Sequence, residues 1–103
     1  MAEVAREQPA EKPGLVFFHS RRSGRCRRVE AALAKTLVRR RNHDTFRLYR
    51  VDIEEKPELA KQFEIEELPT LLVIEGRQVR ARLELAKGRV PPQLDEFLAP
   101  WLR

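Results

Sequence analysis

From Leu15 to Leu102 the chain alternates apolar runs of strand length with apolar stripes at helical spacing, an order that leaves few folds open. Leu15 to His19 reads as a buried strand, with Phe17 and Phe18 as aromatic strand formers. A helix is expected from near Gly24, because Cys26, Val29, Leu33 and Leu37 recur along one helical face. Arg39, Arg40 and Arg41 fall in its last turn, where cations suit the negative end of the dipole, and Asn42 and Asp44 supply the stop. Phe46 to Ile53 reads as a second strand. Pro57 stands at a first helical position after Glu54-Glu55-Lys56, with Leu59, Ala60 and Phe63 as the apolar side of a short helix. Leu71 to Ile74 is an unbroken apolar run, so a fully buried strand. Gly76 marks a turn, and Gln78 to Leu85 alternates with Val79, Ala81, Leu83 and Leu85 on one face, which completes a hairpin. Pro91 and Pro92 open a last helix with Leu94, Phe97, Leu98, Trp101 and Leu102 as its buried stripe. The expected order is β-α-β-α-β-β-α. Two crossovers imply parallel pairing and the hairpin adds antiparallel strands, so the class is α/β with a mixed sheet flanked by helices.

At 103 residues the chain is sized for one small domain, which buries roughly 60–70% of its unfolded surface. Residues 1–13 carry Pro9, Pro13 and mixed charges with almost no apolar periodicity, so we expect a flexible tail there and a folded domain over 14–103. The single cysteine excludes an internal disulfide and fits a reducing compartment. No charged-then-apolar leader opens the chain, and no apolar run approaches the ~18 residues of a membrane span. The expectation is a soluble cytoplasmic protein without a membrane partner. The net charge of +5 is uneven. Residues 21–50 hold eleven Lys and Arg against two acids, and residues 51–75 hold two Lys against eight acids. Such asymmetry either steers an anionic partner or is no more than charge spread over solvated faces.

Directly after the first apolar run stands Ser23-Gly24-Arg25-Cys26, where a redox protein would carry Cys-x-x-Cys. With one cysteine the chain cannot cycle between a dithiol and an internal disulfide. Three signals together resemble the thioredoxin family over residues 14–102. The first is the strand and loop leading to S-G-R-C-R at a helix start, against the family's C-G-x-C-K/R. The second is Val51-Asp52-Ile53-Glu54 followed by Pro57-Glu58-Leu59-Ala60 and Phe63-Glu64-Ile65. The third is Glu67-Leu68-Pro69-Thr70-Leu71-Leu72-Val73-Ile74. The resemblance implies a thioredoxin fold trimmed at its N-terminus, since only about 14 residues precede Leu15 and the family's first strand and helix are missing. It also implies a cis bond before Pro69, facing the motif, with the backbone of Leu68 placed to pair with an extended peptide. The chain departs from the family at four places. Ser23 replaces the nucleophilic cysteine, Arg22 the usual tryptophan, Arg25 the usual proline, and Phe17 the buried acid that moves protons at the second cysteine.

Ser23 cannot take the place of a thiolate, because its hydroxyl needs a dedicated base. His19 is the one candidate base nearby, and no acid lies between it and Cys26 to orient it. Two readings of Cys26 stay open. In one it is a thiol that forms mixed disulfides, its thiolate favoured by the helix start and by Arg22, Arg25, Arg27 and Arg28. In the other it is a small buried residue that packs the helix on the sheet. Arg21, Arg22, Arg25 and Arg28 surround the helix start and suit a phosphate, a carboxylate or an acidic peptide. The absence of interleaved stacking aromatics argues against nucleic acid. One cysteine with His19 and His43 lacks tight ligand spacing, so neither a metal nor a cofactor is expected.

The candidate catalytic positions are therefore Cys26 and Ser23, and the candidate substrate-binding positions Arg22, Gly24, Arg25, Leu68, Pro69 and Thr70. The leading reading is a thioredoxin-like protein without dithiol reductase activity that binds extended polypeptide beside Pro69, with Cys26 as an optional mixed-disulfide partner. A second is a monothiol oxidoreductase that uses Cys26 and a low-molecular-weight thiol. A third is a non-catalytic adaptor that docks an acidic partner through its basic helix.

Overall fold

The computed structural model describes residues 12–39, 45–85 and 90–102. Seven elements follow in the order β1 (Gly14–His19), α1 (Gly24–Arg39), β2 (Arg47–Asp52), α2 (Pro57–Gln62), β3 (Thr70–Glu75), β4 (Gln78–Glu84) and α3 (Val90–Leu98). The strands form a four-stranded sheet in the order β2-β1-β3-β4. β1 runs parallel to β2 and antiparallel to β3, and β3 is antiparallel to β4.

β1 and β3 are central and covered on both faces, which is why their sequences are unbroken apolar runs rather than alternations. On one face Leu15 and Phe17 of β1 and Leu71 and Val73 of β3 pack against Cys26, Val29 and Leu33 of α1 and Leu94 and Leu98 of α3. On the other face Val16, Phe18, Leu72 and Ile74 meet Val51 of β2 and Leu59 of α2. The stripe Cys26, Val29, Leu33 thus faces the sheet as its spacing required, and the side chain of Thr36 joins α1 to α3 by donating to Asp95 Oδ1 at 3.1 Å. Pro57 sits in the first turn of α2, where its missing N–H costs nothing.

Three local expectations change. Phe46 is not a strand residue; it turns into the core and meets the ring of Trp101, with centroids 6.4 Å apart. Trp101 lies past the end of α3, half-buried, and its Nε1–H donates to Glu75 Oε1 at 3.4 Å. Val79 is 47% exposed, although strict alternation places it on the buried face with Ala81 and Leu83. The register slips between Val73 and Ile74, so Arg80 is the extra residue of a bulge. A bulge interrupts the strict alternation that puts every second side chain inward. Gly76, with φ +63°, begins the two-residue turn between β3 and β4, a conformation that other residues adopt at a cost.

The expected tail, apart from Lys12 and Pro13, lies outside the described residues. So do Arg40, Arg41, Asn42, His43 and Asp44. Among the described residues no helix is long and apolar enough to cross a membrane.

Candidate functional site

The topology brings the two motifs to one end of the sheet. β1 ends at His19, and its Phe18 stands opposite Thr70, the first residue of the antiparallel neighbour β3. The Ser20–Ser23 loop that leaves β1 and the Leu68-Pro69 segment that enters β3 are therefore neighbours, 45 residues apart in sequence between Ser23 and Leu68.

Ser23 is the N-cap of α1. Its Oγ accepts the backbone N–H of Cys26 at 3.2 Å, and its carbonyl accepts the first helical bond from Arg27 N–H. The N–H of Ser23 in turn donates to Ser20 O at 3.1 Å. Ser23 thus satisfies an orphan donor of the helix, one of the most favourable tasks for a serine. Ser23→Ala should lower stability by about 1 kcal/mol, while Ser23→Asp should retain most of it. Urea unfolding of the three proteins measures this; equal midpoints would mean that the cap contributes nothing.

Cys26 is 2% exposed and packs among Leu15, Phe17, Val29 and Leu33. It also lines a cavity of about 170 Å³ with Phe17, His19, Arg27 and Glu30. His19 stacks on Phe17, ring centroids 5.2 Å apart. Glu30 binds Arg50 Nε at 2.8 Å, and Arg21, also at the cavity, binds Asp52. Because Arg50 and Asp52 belong to β2, the cavity lies on the β2 side of β1, whereas Pro69 lies on the β3 side.

The motif arginines are largely engaged by the chain itself. Arg21 Nε donates to Asp52 Oδ2 at 3.0 Å and its Nη2 to Glu55 Oε1 at 2.6 Å. Arg22 Nε lies 3.3 Å from Glu54 Oε1, which also accepts from Ser20 Oγ at 3.4 Å. Arg25 Nε donates to the carbonyl of Leu85, and Leu85 N–H donates to Pro69 O at 2.9 Å. Arg27 Nη1 donates to Arg21 O at 3.2 Å. Arg28 is exposed, with no ion pair among the described residues. The expected anion-binding cluster is thus in good part a clasp: Arg21 and Arg22 tie the motif loop to Asp52, Glu54 and Glu55, and Arg25 ties the helix to the strand end that holds Pro69. Sequence spacing had separated a basic third from an acidic third; the βαβ crossover sets them face to face.

The carboxyl of Asp52 is held below its ordinary value by the Glu54 backbone N–H, against the cost of desolvation, with further help from Arg21. Its hydrogen bond and charge hold the Arg21 guanidinium more firmly protonated. A group with a lowered folded-state pKa stabilises the fold above its unfolded value and loses that stabilisation as pH falls through the folded value. Asp52→Asn should therefore lose stability at neutral pH and show a flatter acid limb below the ordinary value of 3.8. Urea midpoints taken between pH 2 and 7 test this, and parallel curves for the two proteins would refute it.

The Leu68–Pro69 peptide is cis. Leu68 is half-buried, Pro69 and Thr70 are buried, and Thr70 Oγ1 donates to Glu67 O at 2.6 Å. Gly24 is half-buried in the first turn of α1. Arg82 was not singled out by sequence, yet its Nη1 and Nη2 donate to the carbonyls of Phe63 and Glu64 at 2.8 and 2.7 Å. Glu64 has φ +55°, so Arg82 of β4 fixes an unfavourable turn ahead of Pro69. No local pattern marks that role, because the contact spans β4 and the segment after α2. Among the described residues no group of three or more metal-ligating side chains gathers.

The sequence model of the family described as Thioredoxin matches residues 2–101. A Mycobacterium tuberculosis protein named Thioredoxin is 30% identical over 80 residues, 78% of this chain and 67% of its own length. The Bifunctional thioredoxin reductase/thioredoxin of Mycobacterium leprae is 31% identical over 80 residues, and the chain spans only 17% of its length. Among solved structures, mitochondrial thioredoxin 3 from Saccharomyces cerevisiae superposes with a TM-score of 0.75 at 18% identity, covering 94% of this chain and 83% of that one. The Drosophila melanogaster protein Deadhead gives 0.77 at 17% identity, with 97% and 87% covered. These two likenesses carry the fold.

Proposed function

The chain belongs to the thioredoxin family, and on that premise we propose that it is a polypeptide-binding member without dithiol reductase activity. It holds an extended segment along the backbone of Leu68 beside Pro69, and Arg22 flanks that groove with Gly24 and Arg25 at the helix start. The observation that carries this reading is the hydrogen bond from Cys26 N–H to Ser23 Oγ: the position of the attacking sulfur is occupied by a helix cap. Cys26 serves as an optional mixed-disulfide partner, reached when the first turn of α1 opens. The lone cysteine suits a reducing cytoplasm.

The cavity beside Cys26 favours a second reading, a monothiol exchange with a small thiol. There the Cys26 thiolate would attack a low-molecular-weight disulfide, form a mixed disulfide and release one thiolate; a second small thiol would then displace Cys26 and restore it.

Alkylation of Cys26 by iodoacetamide from pH 4 to 10 separates the two. With Cys26 2% exposed, the folded protein should react only as it unfolds. Fast alkylation of the native protein would favour monothiol exchange over a buried structural thiol. Carboxymethylated, unfolded insulin B chain is the direct binding probe. It should shift the amide resonances of Leu68 and Thr70, and unshifted resonances at saturating probe would remove the groove from the proposal.

A further inference from the structure

The connection that presents the main chain of Leu68 runs from the end of α2 to the start of β3, and β4 holds it at both ends. At the β3 end Leu85 N–H donates to Pro69 O at 2.9 Å, and Thr70 Oγ1 donates to Glu67 O at 2.6 Å. At the α2 end Arg82, which stands opposite Leu72 in the β3–β4 register, donates from Nη1 to Phe63 O at 2.8 Å and from Nη2 to Glu64 O at 2.7 Å. Between these anchors the Leu68 side chain packs against both core clusters, and its N–H and C=O have no backbone partner among the described residues.

The α2 end needs that hold. Ile65 N–H donates to Ala60 O at 2.8 Å and Glu64 N–H to Lys61 O at 3.1 Å, the paired bonds that close a helix around one left-handed residue. Here that residue is Glu64, with φ +55°. Glycine suits this position, because a Cβ makes the conformation costly. The turn also leaves the carbonyls of Phe63 and Glu64 without a main-chain partner among the described residues. Arg82 supplies a donor to each from one planar fork and sets a positive charge at the negative end of α2. Glu84 Oε2, 3.5 Å from Nη2, steadies the fork from the same strand.

Resting on the reading that Leu68 binds an extended polypeptide, we propose that Arg82 is a positioning residue of that groove. Its two bonds offset the cost of the left-handed Glu64 and fix the direction in which the chain leaves α2. They thereby hold the Leu68 main chain where an incoming segment can pair with it. Without them the connection samples other turns, and the groove is formed in only a fraction of the molecules. The apparent affinity falls by that fraction. Arg82 acts through the turn, not by touching the bound segment.

Titration with carboxymethylated, unfolded insulin B chain, followed by the amide resonances of Leu68 and Thr70, tests this in the folded chain. Arg82→Met keeps the aliphatic stem and removes the donors, and it should weaken binding about five- to tenfold. Adding Glu64→Gly, which takes the left-handed turn without the Cβ cost, should restore binding to within about twofold of the parent. Adding Glu64→Gln instead removes the same carboxylate but keeps the Cβ, and it should restore nothing. Arg82→Lys, with a single ammonium in place of the fork, should bind with intermediate affinity. If Arg82→Met fails to fold, the same two Glu64 changes are compared in the Arg82→Lys chain. The proposal is overturned if the Arg82 variant binds as the parent does, or if Glu64→Gly does not rescue it, as direct contact between Arg82 and the probe would require. Equal rescue by Glu64→Gln, as charge balance would require, also overturns it. A parent chain whose two resonances stay unshifted at saturating probe removes the groove itself, and this role of Arg82 with it; the other outcomes are all read against a parent that binds.

Discussion

Ser23→Cys should switch on dithiol exchange, with insulin disulfide reduction under excess dithiothreitol rising at least about a hundredfold above the parent chain. The reason lies in where the side chain stands. Position 23 caps α1, is half-buried, and lies three residues before Cys26. A thiol there would gain thiolate character from the helix N-terminal amides. It would attack the substrate disulfide and release one substrate thiolate. Cys26 would then attack the mixed disulfide, form an internal bond and release the second substrate thiolate, and dithiothreitol would return the pair to the dithiol. Loss of the serine cap costs about 1 kcal/mol, which a folded domain tolerates. Arg25 and Phe17 remain in place, so the rate should stay below that of a member with the full motif. The parent chain should show only background reduction. Parent turnover at catalytic concentration would refute the absence of dithiol chemistry; a folded variant still at background would show that more than the missing sulfur blocks it.

Phe17→Asp, which would place an acid where the resemblance to the family implies one, should destabilise the domain by about 3–5 kcal/mol at neutral pH. Phe17 is 2% exposed and packs with Cys26, Val29 and Leu71, with the ring of His19 stacked on it. The substitution removes an aromatic side chain from a core that closes around it. It also buries a carboxyl, whose pKa rises because desolvation disfavours the charged form. A raised carboxyl pKa leaves the folded state holding a proton that the unfolded state releases. The charge-related part of the loss is therefore absent below the unfolded value of about 3.9 and grows as pH rises above it. Urea unfolding at pH 4 and pH 7 resolves the two parts. A loss below about 1 kcal/mol, or one that does not grow with pH, would mean that the cavity beside Cys26 solvates the new carboxylate.

The contrast between these variants follows from which forces act locally. Strands β1 and β3 were legible because both faces are buried, so nearly every side chain is apolar. Helix α1 was legible because one stripe meets the sheet. The hairpin was legible from Gly76, and Pro57 from its place in a first helical turn. Val79 was misplaced because a bulge is a tertiary adjustment of two strands that strict alternation does not encode. Phe46 reads as a strand residue by sequence because a large aromatic suits a strand as well as it suits a core anchor, and its contact with Trp101 lies 55 positions away.

The sequence alone determined the order of elements, the two-sided burial of the central strands, and the impossibility of an internal disulfide, because composition and periodicity are properties of consecutive residues. It also placed Ser23 at the helix start and Pro69 before a buried strand. Only the tertiary structure decided what the charged residues do. Arg21 and Arg22 close on Asp52, Glu54 and Glu55, Arg25 closes on Leu85, and Arg82 holds the turn before Pro69. Such pairings join residues 18 to 60 positions apart, and a charge has no periodicity by which its partner can be read. The burial of Cys26 was decided the same way: the stripe put it on the sheet side of α1, but the packing of Phe17 beneath it set its exposure.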